Sequence, residues 1–404
     1  MDAVGAVGAV DAVDVVTLGE SMVTFLPTRP GRLADVPSFD RGIGGAESNV
    51  ACTLAAAGHS ARWVSRVGAD GFGDHLVEAI GAYGVDTASV RRDPARPTGV
   101  YFRTAGDRAT DAHEVAYYRA GSAASAMSAA NLDLDAVRAG RILHLSGITA
   151  ALSADCRELM RELTARRPGR PLVSFDVNYR PGLWRDSGDA SRVLRELARG
   201  ADIVFVGDDE ARDVWGLHGA RAVREALPEP EILVVKQGAD GATVFTHGTG
   251  GTHGTGGAHG TGGAHGTHGT GGTHGPRGTG AHGTGGPAGG ADEVTEGAGG
   301  PSGGTAVHVP APRVDVVAAV GAGDAFAAGF LSATLRGLPV RDRLRHGHLM
   351  AAAALTVPGD LAAPPARGHA DRLAALDDAA WGRLRLGPGW TQAAEGAEEE
   401  VRTP

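Results

Sequence analysis

The chain has 404 residues, of which 42% are hydrophobic, and its formal net charge is −9 at pH 7. A chain of this composition can bury a full hydrophobic core, whereas the acidic balance and the lack of clustered lysine and arginine argue against a nucleic-acid-binding surface. No apolar run approaches the ~20 residues of a membrane span, and two cysteines are too few for a disulfide framework, so a cytoplasmic protein without membrane contact is expected.

The start of the chain differs in composition from the part that follows it. Residues 1–13 repeat alanine, valine, glycine and aspartate, and they lack the basic segment that begins a signal peptide. We therefore expect a flexible leader over residues 1–13. A flexible tail is expected at the other end, over residues 386–404.

Short, β-branched apolar runs alternate along the chain with segments of helical pattern. Runs that are apolar throughout are typical of strands buried on both faces, which indicates a mainly parallel sheet covered by helices. The sequence therefore predicts an α/β sandwich. Strands are expected at Val15–Leu18, Arg141–Leu145, Leu172–Phe175, Ile203–Val206 and Ile232–Val235, and helices at Ser48–Ala57, Ala154–Ala165, Ser191–Ala198 and Ala325–Leu335.

Two stretches, at about residues 22–40 and 98–119, interrupt this alternation. The second of them contains the segments Tyr101–Arg103 and Val115–Tyr118, whose patterns favour a pair of antiparallel strands. We expect a small accessory sheet, formed from about residues 22–40 and 98–119, beside the main one. Because ligands of open α/β sheets gather outside the carboxyl ends of the strands, the segments that follow the strands are expected to hold the chemistry.

Residues 247–304 are rich in glycine, histidine and threonine, and units of about six residues recur there with almost no large apolar side chain. Such a segment cannot bury enough surface to offset its ordering entropy, so we expect a disordered insertion within a domain formed by residues 14–246 and 305–385. The alternative is a metal-binding tract, because histidine recurs through it at His247, His253, His259, His265, His268, His274 and His282.

The segment Val320–Phe326 reads Val-Gly-Ala-Gly-Asp-Ala-Phe. Its two glycines permit a tight turn, the apolar residues after Asp324 start a helix, and the N–H groups at a helix N-terminus suit an oxyanion. A carboxylate there can accept the proton of an attacking hydroxyl, while the turn formed by Gly321, Ala322 and Gly323 holds the charge of a transferred phosphoryl group. The alternative is that Asp324 only caps the helix.

Three motifs in order along the chain resemble the PfkB, or ribokinase-like, family of carbohydrate kinases, from residue 19 to about residue 365 apart from the insertion. They are Gly44–Ala51, Arg66–Asp74 and Val320–Phe326. The resemblance implies a ribokinase-like three-layer α/β/α sandwich with a small β-sheet lid, which is the accessory sheet. It also implies that Asp324 is the catalytic base and that the protein forms a homo-oligomer through the lid.

Within this family the chain is most similar to the 2-keto-3-deoxygluconate kinases, through Tyr117–Ala123, His144–Thr149 and Asp176–Arg180. That similarity implies a small-molecule sugar acid as the substrate, phosphorylated at its 6-hydroxyl. The residues implied to line the sugar site are Gly45, Asn49, Tyr101, Tyr117, Arg119 and Arg180.

The two arginines of that set are expected to bind the carboxylate of the sugar acid. A guanidinium group holds a carboxylate through two parallel hydrogen bonds, which makes Arg119 and Arg180 the candidates. Their alternative role is in structural ion pairs. Tyr117 has the alternative of being a packed aromatic side chain of the sheet.

The resemblance also implies that ATP and Mg²⁺ are bound. Lys236, Gly238 and Gly241 match the family's strand and turn near the nucleotide, although the glycines are equally suited to a hairpin turn. His348 is expected to line the adenine pocket, beside the turn at Gly321 and Gly323. Glu210 matches the last position of the family motif Asn-x-x-Glu, which organises Mg²⁺ through water, but Gly207 occupies the first position.

One position departs from the family pattern. Ala318 stands where the family commonly has an aspartate that is associated with the cation-rich environment beside the phosphates. Activation by monovalent cations therefore stays open. The leading hypothesis is a 2-keto-3-deoxygluconate kinase, and the alternatives are a kinase of another sugar, such as fructose or a related sugar acid, and a catalytically weak sensor or metal-binding protein on a kinase fold.

Overall fold

The structure is a computed structural model, and it describes residues 11–29, 31–104, 114–184, 186–247 and 304–392. Most of the expected leader, nearly all of the expected insertion and the end of the expected tail lie outside the described residues. The expectations for those segments therefore stay expectations.

The strands of the described residues are numbered in chain order. They are β1 Val13–Leu18, β2 Met22–Pro27, β3 Phe39–Gly44, β4 Ala61–Val64, β5 Arg66–Gly68, β6 Arg91–Asp93, β7 Val100–Arg103, β8 Val115–Tyr118, β9 Gly140–Ser146, β10 Leu172–Asp176, β11 Ile203–Gly207, β12 Ile232–Lys236, β13 Ala242–Thr246, β14 Thr305–Val309, β15 Arg313–Val314 and β16 Arg385–Leu386.

The α-helices are numbered in the same way. They are α1 Ala46–Ala56, α2 Gly71–Ala82, α3 Leu134–Arg138, α4 Gly147–Leu152, α5 Ala154–Thr164, α6 Ser187–Gly200, α7 Asp208–Trp215, α8 Ala220–Ala226, α9 Ala322–Leu335, α10 Val340–Leu355, α11 Arg367–Ala374 and α12 Asp378–Arg383. No helix in this part of the chain combines the length and the apolar character that a bilayer span requires.

The main sheet has eight strands in the order β14-β13-β12-β11-β10-β9-β1-β4. The pairings from β12 to β4 are parallel, and β13 and β14 add an antiparallel edge. One face of the sheet packs against α5 and α6, and the other packs against α9 and α10, each with a buried apolar core. The prediction of a three-layer α/β/α sandwich is confirmed.

Aromatic packing attaches α9 to the centre of this sheet. The ring of Phe205 on β11 lies edge-on to Phe330 and Phe326 of α9, with ring centroids 5.4 and 6.4 Å apart. Phe205 and Phe330 are fully buried. Burial of each ring stabilises the fold by about 1.5–3 kcal/mol, so the start of α9 is held firmly at the sheet edge.

A second sheet of four strands, here called the small sheet, has the order β3-β2-β7-β8. Strands β7 and β8 are antiparallel, as their sequence pattern predicts, whereas β2 and β7 are parallel. Side chains alternate between the two faces of a strand. Tyr101 and Arg103 therefore share one face, while Phe102 lies on the other, stacked on Phe25 with ring centroids 4.7 Å apart.

Two expected boundaries are wrong. Strand β1 begins at Val13, inside the segment that we expected as the leader. The flexible tail expected from residue 386 is ordered as far as Gln392, because Leu386 is buried in a strand paired with β15 and the ring of Trp390 lies 6.0 Å from that of His369. Apolar contacts with the α9 face of the sandwich hold this segment.

The register of β13 and β14 locates the insertion. Thr246, at the end of β13, pairs with Thr305, at the start of β14. On the next strand, Ile232 pairs with Thr246 and Lys236 pairs with Ala242. The chain therefore leaves and re-enters the sheet at the amino end of β12, which is the end opposite Lys236.

Candidate active site

Four neighbouring parallel strands end at one edge of the main sheet. Strands β9, β10, β11 and β12 end at Ser146, Asp176, Gly207 and Lys236. The crevice outside such strand ends is where open α/β sheets bind ligands. A cavity of about 970 Å³ lies at this edge, and its lining includes Asp176, Asn178, Arg180, Glu210, Lys236, Gly238, Gly241, Gly321, Ala322, Gly323, Asp324 and His348.

The glycine turn before α9 depends on a backbone conformation that other residues rarely adopt. Gly321 is the N-cap of α9 and has φ 73° and ψ −6°, in the left-handed region. A Cβ at this position would lie 2.2 Å from the carbonyl oxygen of Asp360. Only glycine fits here, and the first turn of α9 consequently presents its N–H groups at the cavity.

Asp324 is the third residue of α9 and is not its cap. Its Oδ2 accepts a hydrogen bond of 2.9 Å from Nδ2 of Asn49, and α9 has no side-chain cap. The alternative role of Asp324 as a helix cap is therefore wrong. Asn49 lies on the first turn of α1, behind Gly45, whose missing side chain lets the backbone of Glu20 approach closely.

The carboxyl group of Asp324 is unusually basic. Burial raises its pKa, the hydrogen bond from Asn49 lowers it, the charge of Asp176 raises it, and Lys236 and Arg180 lower it. Burial dominates, so the pKa rises from 3.8 to about 7. A carboxylate with this pKa can exchange a proton at neutral pH, which is the property required of a general base.

Lys236 lies beside this carboxylate and forms an ion pair with Asp176. Its Nζ donates to Oδ2 and Oδ1 of Asp176 at 2.8 and 3.1 Å. Burial alone would lower the pKa of Lys236, but the charges of Asp176, Glu210 and Asp324 outweigh burial, so that pKa is raised. The ammonium group is therefore charged.

Glu210 and Arg180 form a second ion pair at the cavity. Oε1 of Glu210 lies 3.3 Å from Nη1 of Arg180, and its Oε2 accepts a hydrogen bond from the backbone N–H of Gly207 at 2.9 Å. Burial raises the pKa of Glu210. The side chain of Arg180 is 53% exposed, so this arginine is able to reach a ligand.

The turn between β12 and β13 is a hairpin turn that also borders the cavity. Gly238 has φ 60° and Gly241 has φ 122°, and the strands they join pair antiparallel, so these glycines form a hairpin turn. Both also line the cavity. His348, which lies edge-on to Phe326, reaches the same cavity, and burial lowers its pKa to about 4, so its ring is neutral.

Three predicted sugar-site residues lie together at the small sheet. Tyr101 is 6% exposed, and its ring centroid lies 5.4 Å from that of Tyr117, which is 53% exposed. The guanidinium carbon of Arg119 lies 5.9 Å from the Tyr117 centroid. Arg119 also forms an ion pair with the buried Glu20. The guanidinium group that we expected to bind the substrate carboxylate therefore already has one partner within the protein.

Asp360 connects the small sheet to the turn before α9, and it was not among the predicted site residues. Its side chain accepts hydrogen bonds from the hydroxyl of Tyr101 at 2.9 Å and from Nη2 of Arg103 at 2.6 Å. Its backbone packs against Gly321. Nothing in the local sequence distinguishes this aspartate, because its partners come from distant segments.

The structure thus brings the predicted residues into two sets. The cavity holds Arg180, Glu210, Lys236, Gly238, Gly241, His348 and the turn with Asp324, whereas Gly45, Asn49, Tyr101, Tyr117 and Arg119 are outside its lining. Asn49 contacts the first set through Asp324, and Tyr101 does so through Asp360.

Two residues of the cavity are distinguished in the sequence by residue type or position. Lys236 is the single lysine among the 38 lysine and arginine residues of the chain. Asp176 lies at the end of a predicted strand, where ligand-binding residues are expected, although it was not among the predicted site residues. Within the described ranges, no group of three or more histidine, cysteine, aspartate or glutamate side chains is arranged to hold a metal ion.

Known carbohydrate kinases are similar to this chain over most of its length. A family model described as pfkB family carbohydrate kinase matches residues 12–256 and 294–367. The chain is 30% identical over 357 residues to a 2-dehydro-3-deoxygluconokinase of Bacillus subtilis (strain 168), covering 87% of this chain and 92% of that protein. It is 30% identical over 353 residues to a 2-dehydro-3-deoxygalactonokinase of Haloferax volcanii, covering 86% and 92%. A solved PfkB protein from Polaromonas sp. JS666 is similar with a TM-score of 0.67 and 29% identity, covering 89% of this chain and 99% of that one.

Proposed function

This chain belongs to the pfkB family of carbohydrate kinases, and we propose that it transfers the γ-phosphoryl group of ATP to the 6-hydroxyl of 2-keto-3-deoxygluconate, also called 2-dehydro-3-deoxygluconate. The observation that carries the proposal is the buried carboxylate of Asp324, held by Asn49 in the first turn of α9 at a cavity of about 970 Å³. The family match favours an active kinase over the alternative of a catalytically weak sensor or metal-binding protein on a kinase fold.

Asp324 is the proposed base of the reaction. A carboxylate oxygen of Asp324 accepts the proton of the 6-hydroxyl while the hydroxyl oxygen attacks phosphorus. Asn49 keeps the carboxylate in one orientation. The N–H groups of residues 321–323 donate to the phosphoryl oxygens, where negative charge must be held during transfer. The hydrogen bond from Asn49 and the left-handed conformation of Gly321 fix these groups, which supports a site that needs little reorganisation.

The cavity residues suit a nucleotide and a magnesium ion. The ammonium of Lys236, the N–H groups of the α9 turn and the open backbone at Gly238 would hold phosphates, while Gly241 completes the hairpin turn and the neutral ring of His348 would line the base pocket. Glu210 would hold Mg²⁺ through water, because Mg²⁺ keeps several waters when it binds between carboxylates and phosphates. When bound, ATP supplies the phosphoryl group and Mg²⁺ neutralises part of its charge.

Two arginines support an acidic sugar. Arg180 lines the cavity that contains Asp324, and Arg119 lies against the ring of Tyr117 at the small sheet. We propose that these cations and the hydroxyls of Tyr101 and Tyr117 bind the carboxylate end, while the 6-hydroxyl meets Asp324. A panel of 2-keto-3-deoxygluconate, 2-keto-3-deoxygalactonate and fructose, with ADP release as the measurement, tests the substrate. Preference for fructose would contradict the acid assignment.

Replacing Arg180 with alanine should raise KM for the sugar acid. A charge-assisted hydrogen bond is worth ~1.5–3 kcal/mol, which corresponds to a factor of roughly 10–100 in apparent affinity. Turnover of fructose, where it can be measured, should change much less. Arg180 is the better test of the two arginines, because removing Arg119 would leave the buried Glu20 without its charge partner.

Arg212→Ala is the matched control for this substitution. Arg212 is 50% exposed, lies on the same helix as Glu210 and pairs with Asp213 at 3.6 Å, so it resembles Arg180 in exposure and pairing but is not part of the cavity lining. Its loss should leave KM unchanged. An Arg180→Ala enzyme with the parent's KM for the sugar acid would contradict the carboxylate assignment.

Deleting residues 247–304 should leave kinase turnover nearly intact. Thr246 and Thr305 are paired, so a two-residue Asn-Gly turn between them would close β13 and β14 as a hairpin in the existing register. The junction lies at the strand ends opposite Lys236. The measurement is kcat and KM of the purified deletion variant. Loss of turnover in a folded variant would reveal a catalytic or lid role of the insertion.

We also propose that the small sheet is a lid and that two copies of the chain associate through it. The face that carries Phe102 is aromatic: the ring centroid of Phe102 lies 5.3 Å from that of Phe39 and 6.0 Å from that of Tyr118, which is 66% exposed. An aromatic patch of this kind suits a second copy of the same sheet. Molar mass from light scattering decides this proposal, since a monomer at micromolar concentration would contradict it.

A further inference from the structure

The ion pair of Asp176 and Lys236 joins two strands that are not neighbours. Asp176 ends β10 and Lys236 ends β12, with β11 between them. Both carboxylate oxygens accept from Nζ, and the side chains are 3% and 19% exposed. Asp176 is itself fixed, because its Oδ1 also accepts from the backbone N–H of Asn178 at 3.3 Å. The ammonium of Lys236 therefore has a defined position.

That position is beside the first turn of α9. A Cβ placed on Gly323 would lie 3.6 Å from Nζ of Lys236, so no side chain separates the ammonium from the turn that carries Asp324. An ammonium group has three N–H donors. Among the described residues Asp176 is its hydrogen-bonding partner, through two contacts, and one donor is left to point at a ligand.

The residue type at position 236 is also informative. Every other cation of the Lys and Arg class in this chain is arginine. A purely structural ion pair with a carboxylate is served at least as well by the planar, two-pronged guanidinium of arginine. A compact ammonium differs in that it fits a narrow space and can share its donors between two acceptors.

We propose that Asp176 is a positioning residue for phosphoryl transfer, which holds the ammonium of Lys236 beside the Gly321–Gly323 turn so that its remaining N–H meets the transferred phosphoryl group. This inference rests on the proposed function. Lys236 makes the contact with the ligand, and Asp176 acts through Lys236.

Asp176 also acts on Asp324 through its charge. The charged groups around Asp324 are Asp176 at the end of β10, Lys236 at the end of β12 and Arg180 in the segment after β10. The neutral Asn49 of α1 donates a hydrogen bond to Asp324, and Glu210 of α7 acts on Lys236. Without the negative charge of Asp176, the positive charges of Lys236 and Arg180 would act on Asp324 with less opposition. The pKa of Asp324 would then fall, and the acid side of the pH–rate profile would move to lower pH.

The test compares Asp176→Asn with the parent enzyme. Turnover should fall by about 10- to 100-fold, as expected for a misplaced catalytic group, while KM for the sugar acid changes little. The midpoint of the acid limb should move to lower pH. Because the chain has a single lysine, selective ¹⁵N and ¹³C lysine labelling gives one side-chain NMR signal, and the pKa that it reports should fall in the variant, since the charge of Asp176 helps to raise it.

Asp202→Asn is the matched control. Asp202 pairs with Arg170 at 2.8 Å next to the amino ends of β10 and β11, and the two side chains are 16% and 15% exposed. Its loss should lower thermal stability without moving the acid limb or the lysine signal. Lys236→Arg is the second variant: it keeps the charge and the ion pair, so a structural role predicts normal turnover, whereas the proposal predicts a loss similar to that of Asp176→Asn.

The outcomes separate this inference from the proposed function. A different preferred sugar would overturn the substrate assignment and leave the expected effects of Asp176→Asn in place. An enzyme that turns over no sugar would still show, by NMR, whether adenylyl imidodiphosphate with Mg²⁺ shifts the lysine signal. The inference is overturned if Asp176→Asn keeps the parent's turnover and acid limb, if Lys236→Arg is fully active, or if the analogue leaves the lysine signal unmoved.

Discussion

Replacing Asp324 with asparagine is expected to slow phosphoryl transfer by ~10²- to 10⁴-fold, which is the usual contribution of a positioned general base. Asparagine keeps the size of the side chain and an oxygen that can face Asn49, so the fold and nucleotide binding should persist. Only the basic oxygen is lost. Turnover and nucleotide binding are to be measured on the same preparation.

The pH dependence of the parent enzyme belongs to the same prediction. A general base at Asp324, as proposed, must be ionised, and the pKa of this group is about 7, so kcat/KM should fall as the pH drops below about 7. Folding raises the pKa of Asp324 from 3.8 to about 7, so the folded parent loses stability as the pH rises from about 3.8 to about 7. Asp324→Asn does not have this loss. The variant should therefore unfold at a higher temperature than the parent at pH 7.

Asp377→Asn provides the control for these measurements. Asp377 caps α12 by accepting from the backbone N–H of Ala380 at 2.7 Å, a contact that asparagine also makes. Its turnover and pH profile should equal those of the parent. If Asp324→Asn turns over within a few-fold of the parent, the sugar hydroxyl is activated by another group and the proposed mechanism is wrong.

Replacing Gly321 with alanine is expected to reduce turnover by about 10²-fold or more, because a shift of the catalytic turn by about 1 Å is sufficient for such a loss. The added Cβ would lie 2.2 Å from the carbonyl oxygen of Asp360. Either the turn or the loop at Asp360 must move, and Asp360 holds Tyr101 and Arg103 of the small sheet. Both the turn before α9 and the contacts of Asp360 with the small sheet should be disturbed.

Gly337→Ala is the control that carries the backbone strain of a left-handed alanine without the overlap with Asp360. Gly337 has φ 70°, close to the 73° of Gly321, but a Cβ there would meet no atom within 4 Å. Both substitutions carry the cost of a left-handed residue, about 1–2 kcal/mol, and only Gly321→Ala adds the overlap with Asp360. The measurements are thermal unfolding and kcat. Equal turnover of the two variants would show that the turn tolerates displacement.

The fold class and the main chemistry were determined by the sequence itself. Unbroken apolar runs can only be buried on both faces, so they predicted β9 to β12 and the parallel sheet without reference to partners. The pattern of glycines before Asp324 predicted the tight turn and the start of α9, because a left-handed residue and a helix start are local properties of the backbone. The topological rule indicated that the segments after the strands hold the chemistry, and the family resemblance implied Arg180, Lys236 and Glu210 within them.

The tertiary structure alone decided which side chains meet across the site. Asp324 is held by a residue 275 positions away, and Asp360 contacts Tyr101 across 259 positions, so no local pattern records either bond. The order of the tail as far as Gln392 likewise depends on the apolar surface it covers, and not on its own composition. The basicity of Asp324 has the same origin: burial and the charges of Asp176, Lys236 and Arg180 set its pKa, and these groups converge only when the sheet has formed.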